Sequence, residues 1–134
     1  MLIFRSILFY LSLTIWTILM GIICLPFIIL PSKILKYPTK IWIRGIFIFL
    51  KLVCNIKHQI IGLDNIPDEP LLIVSKHQST FETFGLYYYL KDCFFIHKKE
   101  LFIIPIFGQY LFKSNMVAID RSGGTLTMRK MLED

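Results

Sequence analysis

Between Ser6 and Leu30 the chain runs for 25 residues without a charge (SILFYLSLTIWTILMGIICLPFIIL), and this run limits what the rest can become. As a helix rising ~1.5 Å per residue it exceeds a hydrocarbon core ~30 Å thick, so it can cross a bilayer with tilt. It is too long for the apolar part of a signal peptide, and no small-x-small cleavage site follows it. Pro26 and Pro31 are expected to end or kink the helix, because proline has no N–H to give the preceding turn. Lys33, Lys36 and Lys40 follow, and are expected to hold that end on the positive, cytoplasmic side.

Charge sharpens this reading. Residues 1–63 hold seven Lys/Arg and no Asp or Glu, whereas 64–134 hold eight positive and nine negative residues. A basic block set among apolar runs suits an anionic lipid surface, where each cation contributes about 1 kcal/mol, better than nucleic acid. A second apolar stretch, Ile41 to Val53 (IWIRGIFIFLKLV), carries Arg44 and Lys51 seven positions apart and so near one face of a helix. It reads as an interfacial amphipathic helix. Hydropathy leaves three arrangements open: a single span followed by that helix, a re-entrant hairpin, or a core helix of a soluble protein. Cys24, Cys54 and Cys93 are widely spaced in apolar surroundings with no ligand cluster nearby, as expected of reduced thiols rather than disulfides or metal ligands.

After Asn55 the texture changes to short runs divided by turn residues, which predicts an α/β domain over residues 56–134 behind a membrane-associated helical segment over residues 1–55. Strands are expected at Ile56 to Ile61, Leu71 to Ser75, Cys93 to His97 and Asn115 to Ile119, with a loop from Gly62 to Pro70. A helix is expected from Thr80 to Leu90, a helical or irregular stretch from Lys99 to Phe112 broken by Pro105 and Gly108, and another helix beginning at Gly124. Strands alternating with helices imply a mostly parallel sheet.

The residues that speak of chemistry are Lys76-His77-Gln78-Ser79-Thr80-Phe81-Glu82. On one continuous helix an offset of five turns the side chains by about 500°, so His77 and Glu82 meet only if the backbone bends between them. Such a bend exists where a strand ends at His77 and a helix starts near Thr80, at the sheet edge where open α/β folds hold ligands. Glu82 can then accept the Nδ1 proton of His77 and leave Nε2 as a general base. An imidazole, with an ordinary pKa of about 6.5, can take the proton of an alcohol attacking a carbonyl, typically a gain of roughly 10²–10⁴ in rate. The attacking oxygen would be the substrate's own, since the chain has no G-x-S-x-G nucleophile elbow. A competing account is that Ser79-x-x-Glu82 is a capping box, with Glu82 merely satisfying a helix N-terminus.

Downstream lie His97-Lys98-Lys99-Glu100-Leu101-Phe102-Ile103-Ile104-Pro105-Ile106-Phe107-Gly108 and then Ile119-Asp120-Arg121. Together with KHQSTFETF, these blocks resemble the glycerolipid acyltransferase family, and most of all its 1-acylglycerol-3-phosphate acyltransferase branch. That branch has a first block H-x-x-x-x-D/E, then K-x-E-L-x-x-x-P-x-x-G, a strand and D-R. The resemblance runs from about Ile41 to Arg129. It implies a partial acyltransferase-type sheet, His77 as catalytic base with Glu82 orienting it, and Lys98 and Arg121 gathered around a substrate phosphate. It implies acyl transfer from acyl-carrier protein or coenzyme A thioesters to the sn-2 hydroxyl of lysophosphatidate, at the cytosolic face of a bacterial inner membrane. No cofactor or metal is implied.

Pro105 and Gly108 are expected to shape a turn, His58 and His97 to be strand residues, and Lys91 and Lys99 to sit on a solvated rim, an account open for Lys98 as well. The family's third block, F-P-E-G-T-R, has no counterpart in Ser122 to Asp134, so a fragment with an incomplete phosphate site is expected. Two other readings share these residues: a noncatalytic membrane-anchored lipid binder, and an esterase with water as acceptor.

Overall fold

A computed structural model describes residues 2–104, 107–114 and 116–119. The uncharged run folds as helix α1, Leu2–Ile23. The N–H of Cys24 still reaches Met20 O at 2.9 Å, after which Pro26 stands in the first turn of a 3-10 segment, Leu25–Ile29. The helix stops where a proline would have to donate a bond it lacks. Pro31, at φ −55° and ψ 144°, then precedes helix α2, Ser32–Cys54. The amphipathic helix expected from Ile41 is therefore the second half of a longer one, which runs through the buried Pro38 at the loss of one bond to the turn before.

α1 and α2 pack on each other as a helical hairpin, and only α1 is long and apolar enough to cross a membrane among the described residues. Two tryptophans tie the seam: Trp16 Nε1 donates to Trp42 O at 2.9 Å, and Trp42 Nε1 donates to Thr17 Oγ1 at 3.1 Å. A Cβ on Gly45 would overlap the Trp16 indole, so the close approach of the helices depends on that glycine. Most of the buried residues belong to this hairpin, Met20, Cys24, Leu35, Ile43, Ile46 and Phe47, and Leu111 further along the chain is buried as well. The outer face of α1 has no protein against it, with Ile3 78% and Phe4 70% exposed. An apolar stripe of that extent needs a nonaqueous neighbour.

Helix α3, Thr80–Tyr89, leans on α2 through aromatic rings, Trp42 with Phe84 at 5.1 Å and Phe47 with Phe81 and Tyr88 at 5.5 Å each. Two lysines expected on the cytoplasmic side also serve this junction. Lys40 Nζ donates to Leu90 O at 2.9 Å, past the last turn of α3, and Lys36 pairs with Asp92 at 3.2 Å. A cation at a helix C-terminus satisfies carbonyls that have no partner within the helix.

The sheet is smaller than expected. Strand β1, Ile96–Lys98, pairs in parallel with β2, Val117–Ile119, in the register Ile96 to Val117, His97 to Ala118 and Lys98 to Ile119. Residues 56–61 and 71–75 were expected as strands, but they form no ladder among the described residues. Alternation and β-branching favour an extended backbone, yet a strand also needs a neighbour's N–H and C=O groups. The described chain is consequently mostly helical.

The stretch after β1 is a 3-10 turn, Lys99–Ile103, followed by helix α4, Phe107–Lys113. Gly108 lies in α4 itself, where a Cβ would run into the backbone of Phe102. The helix expected from Gly124 lies outside the described residues.

Candidate active site

His77 sits at the end of a stretch without regular structure before α3, not at the end of a paired strand. Ser79 has extended backbone, φ −158° and ψ 175°, and α3 starts at the next residue. The required bend is thus made by a helix start. It brings His77 Nδ1 within 2.5 Å of Glu82 Oε1. The imidazole side chain is 77% exposed and the carboxylate 23%, so the ring faces outward from a partly shielded partner. Nε2 of His77 makes no protein hydrogen bond among the described residues.

The same carboxylate closes the capping box. Ser79 N–H donates to Glu82 Oε2 at 3.1 Å, Ser79 Oγ donates to Oε2 at 3.1 Å, and Phe81 N–H donates to Ser79 Oγ at 3.2 Å. The two accounts open for Glu82, orienting the histidine and capping the helix, are therefore both met, largely by different oxygens. The cap locks the glutamate rotamer that meets the ring. Desolvation pushes the Glu82 carboxyl up, but hydrogen bonds from its own backbone and from the Ser79 hydroxyl and N–H, together with His77, outweigh that. Its pKa lies below the ordinary value.

Ser79 was legible only as a cap, although it also holds the partner of His77. His58 was expected to be an ordinary strand residue, but its Nε2 meets Tyr89 Oη at 2.8 Å and its ring packs 4.3 Å from that of Phe47. No spacing in the chain announces a pair separated by 31 residues.

Lys98 ends β1 with an exposed side chain that makes no ion pair among the described residues, and no hydrogen bond or ion pair joins it to His77 or Glu82. Neighbouring His97 turns inward, with Nδ1 2.8 Å from Lys98 O and the ring edge-on to Phe102. Arg121 lies outside the described residues. Between the 60–73 loop and α3 there is an apolar cavity of about 390 Å³, lined by Ile61, Leu63, Leu71, Ile73 and Leu86 among others. Leu86 is one turn beyond Glu82 and so on the same side of α3.

A family model described as acyltransferase matches residues 57–133, which takes in His77, Glu82, Lys98 and Arg121. The chain belongs to the acyltransferase family. It is 35% identical over 130 residues to a 1-acyl-sn-glycerol-3-phosphate acyltransferase of Pseudomonas aeruginosa, covering 95% of this chain and 50% of that protein. Proteins of the same description from Chlamydomonas reinhardtii and Saccharomyces cerevisiae are 37% identical over 67 residues and 29% over 84. Those matches cover 48% and 60% of this chain, and 20% and 28% of the relatives. The acyltransferase chain thus spans at most about half the length of the curated relatives it matches. No solved structure matches it.

Proposed function

We propose that this acyltransferase chain transfers a fatty acyl group from a thioester, carried by acyl-carrier protein or coenzyme A, to the sn-2 hydroxyl of 1-acylglycerol-3-phosphate, giving phosphatidic acid. His77 Nε2 removes the hydroxyl proton as the oxygen attacks the thioester carbonyl. The tetrahedral adduct collapses with cleavage of the carbon–sulfur bond, and the imidazolium returns the proton to the leaving thiolate. Glu82 holds the tautomer and stabilises the imidazolium. Lys98 and Arg121 attract the phosphate, and arginine can do so through two parallel hydrogen bonds.

The observation that supports this most directly is the 2.5 Å contact between His77 and Glu82 in a chain whose matched relatives are described as 1-acyl-sn-glycerol-3-phosphate acyltransferases. The apolar cavity beside α3 suits an aliphatic chain. In this reading residues 1–55 are the membrane-associated part, residues 56–134 belong to the acyl-transfer domain, and the site faces the cytosol at the inner membrane of a bacterium. The exposed apolar face of α1 favours the membrane association in that placement. The test is release of free thiol from an acyl thioester. Release that requires lysophosphatidate and disappears in His77→Ala supports acyl transfer. Release without acceptor points to hydrolysis, and lipid binding with no release at all points to a noncatalytic binder.

A further inference from the structure

A second cluster of charge lines a groove that includes neither His77 nor Glu82. Helix α2 ends at Asn55, whose left-handed backbone (φ 56°) reverses the chain. The Ile56 N–H reaches back to Leu50 O at 3.0 Å, which lays Lys57 and His58 along the last turns of the helix. Arg44, Lys51, Lys57, His58, Tyr88 and Tyr89 line one groove of about 480 Å³ between α2, α3 and this returning strand of chain. Arg44 and Lys51 are two helical turns apart on α2, about 10 Å along its axis.

Arg44, Lys51 and Lys57 are exposed and have no ion-pair partner among the described residues, and no carboxylate lines the groove. The imidazole is held from behind by Tyr89 Oη and the Phe47 ring, so one wall is rigid. The cations share their face of α2 with exposed apolar residues. Ile41 lies three positions before Arg44, and Ile48 lies four positions after it and three before Lys51. A face that alternates cation and aliphatic side chain matches the boundary of a leaflet, where phosphate sits above acyl chains. A free phosphate would have no use for the aliphatic half.

We propose that this groove binds the phosphodiester of an anionic phospholipid in the leaflet that receives the α1–α2 hairpin, as a site separate from the one that holds the acyl acceptor. The proposal rests on the reading of α1 as a membrane helix. The bound lipid clamps α2 against α3, the helix that carries Glu82.

The test uses the full chain in detergent micelles, with bound lipids counted by native mass spectrometry and phosphatidylglycerol and phosphatidylcholine as probes. Wild type is expected to retain phosphatidylglycerol in preference. Neutralising the groove in Arg44→Gln/Lys51→Gln/Lys57→Gln should lower that preference about a hundredfold, since each cation near anionic lipid multiplies binding roughly fivefold. Lys91→Gln/Lys99→Gln/Lys113→Gln removes the same charge outside the basic block of residues 1–63 and should keep the preference. Equal losses in both triple variants, or equal retention of the two lipids by wild type, would overturn the site. Displacement of phosphatidylglycerol by glycerol 1-phosphate would overturn its assignment to a bilayer lipid. If the groove triple variant does not fold, Lys51→Gln alone should still show the roughly fivefold drop. Flotation of wild type with neutral phosphatidylcholine vesicles reads hairpin insertion separately, so failure of the membrane reading is distinguishable from failure of the groove.

Discussion

At the scale of single residues, the carboxylate of Glu82 does two jobs that substitutions can separate. Glutamine also serves in a capping box, so Glu82→Gln should leave α3 intact by circular dichroism. It should nevertheless lower thioester turnover by roughly 10²-fold or more, because an amide cannot stabilise the imidazolium. Ser79→Ala is the complement. It removes a capping hydroxyl and should cost about 1 kcal/mol in denaturant unfolding, with a smaller effect on turnover per folded molecule. The ionised Glu82 also makes a pH prediction. Its pKa is lowered on folding from an ordinary 4.5, so its contribution to stability is fully present above that value and is lost as pH falls through the lower folded value. The thermal midpoint of wild type should therefore converge on that of Glu82→Gln as pH drops below about 4.5, and the two should differ by a constant amount above it. A gap that widened on acidification would contradict the assigned direction.

At the scale of elements, glycines set two of the approaches that carry the architecture. A methyl group on Gly108 meets the Phe102 backbone, which cannot swing aside as a flexible side chain can. Gly108→Ala should push α4 off the Lys99–Ile103 turn and cost about 1–3 kcal/mol of stability. Gly45 faces the Trp16 indole, so Gly45→Val should wedge α1 from α2, and a changed tryptophan emission maximum would report it. The helices were the legible elements. An uncharged run, two prolines and a Ser-x-x-Glu signature locate α1, the break after it and the start of α3 from local chemistry alone. Pro38 is the exception, because packing of α2 against α1 offsets the bond it forfeits. Strands were read less well. The alternation at residues 56–61 describes an extended backbone, whereas a ladder depends on a partner that can lie anywhere in the chain, and no local pattern specifies one.

At the scale of the whole molecule, the exposed face of α1 and the basic groove on α2 favour the same neighbour, a lipid leaflet. Ile15 lies on α1 with its side chain largely exposed. Ile15→Asp should weaken vesicle partitioning by about 3 kcal/mol, measured by flotation, while α3 and its cap remain folded. The amphipathic reading of α2 and the acyltransferase signature were open to inspection without coordinates, because hydropathy, charge and motif spacing are properties of the chain written in order. The meeting of His77 with Glu82 was expected only on condition of a bend, and a helix start supplies that bend. Three features needed the folded chain: the Ser79 clamp as support for the histidine, the His58–Tyr89 pair, and the recruitment of Lys36 and Lys40 to the end of α3. Each depends on distances between atoms far apart in order, or on which of two partners a side chain takes, and packing decides both.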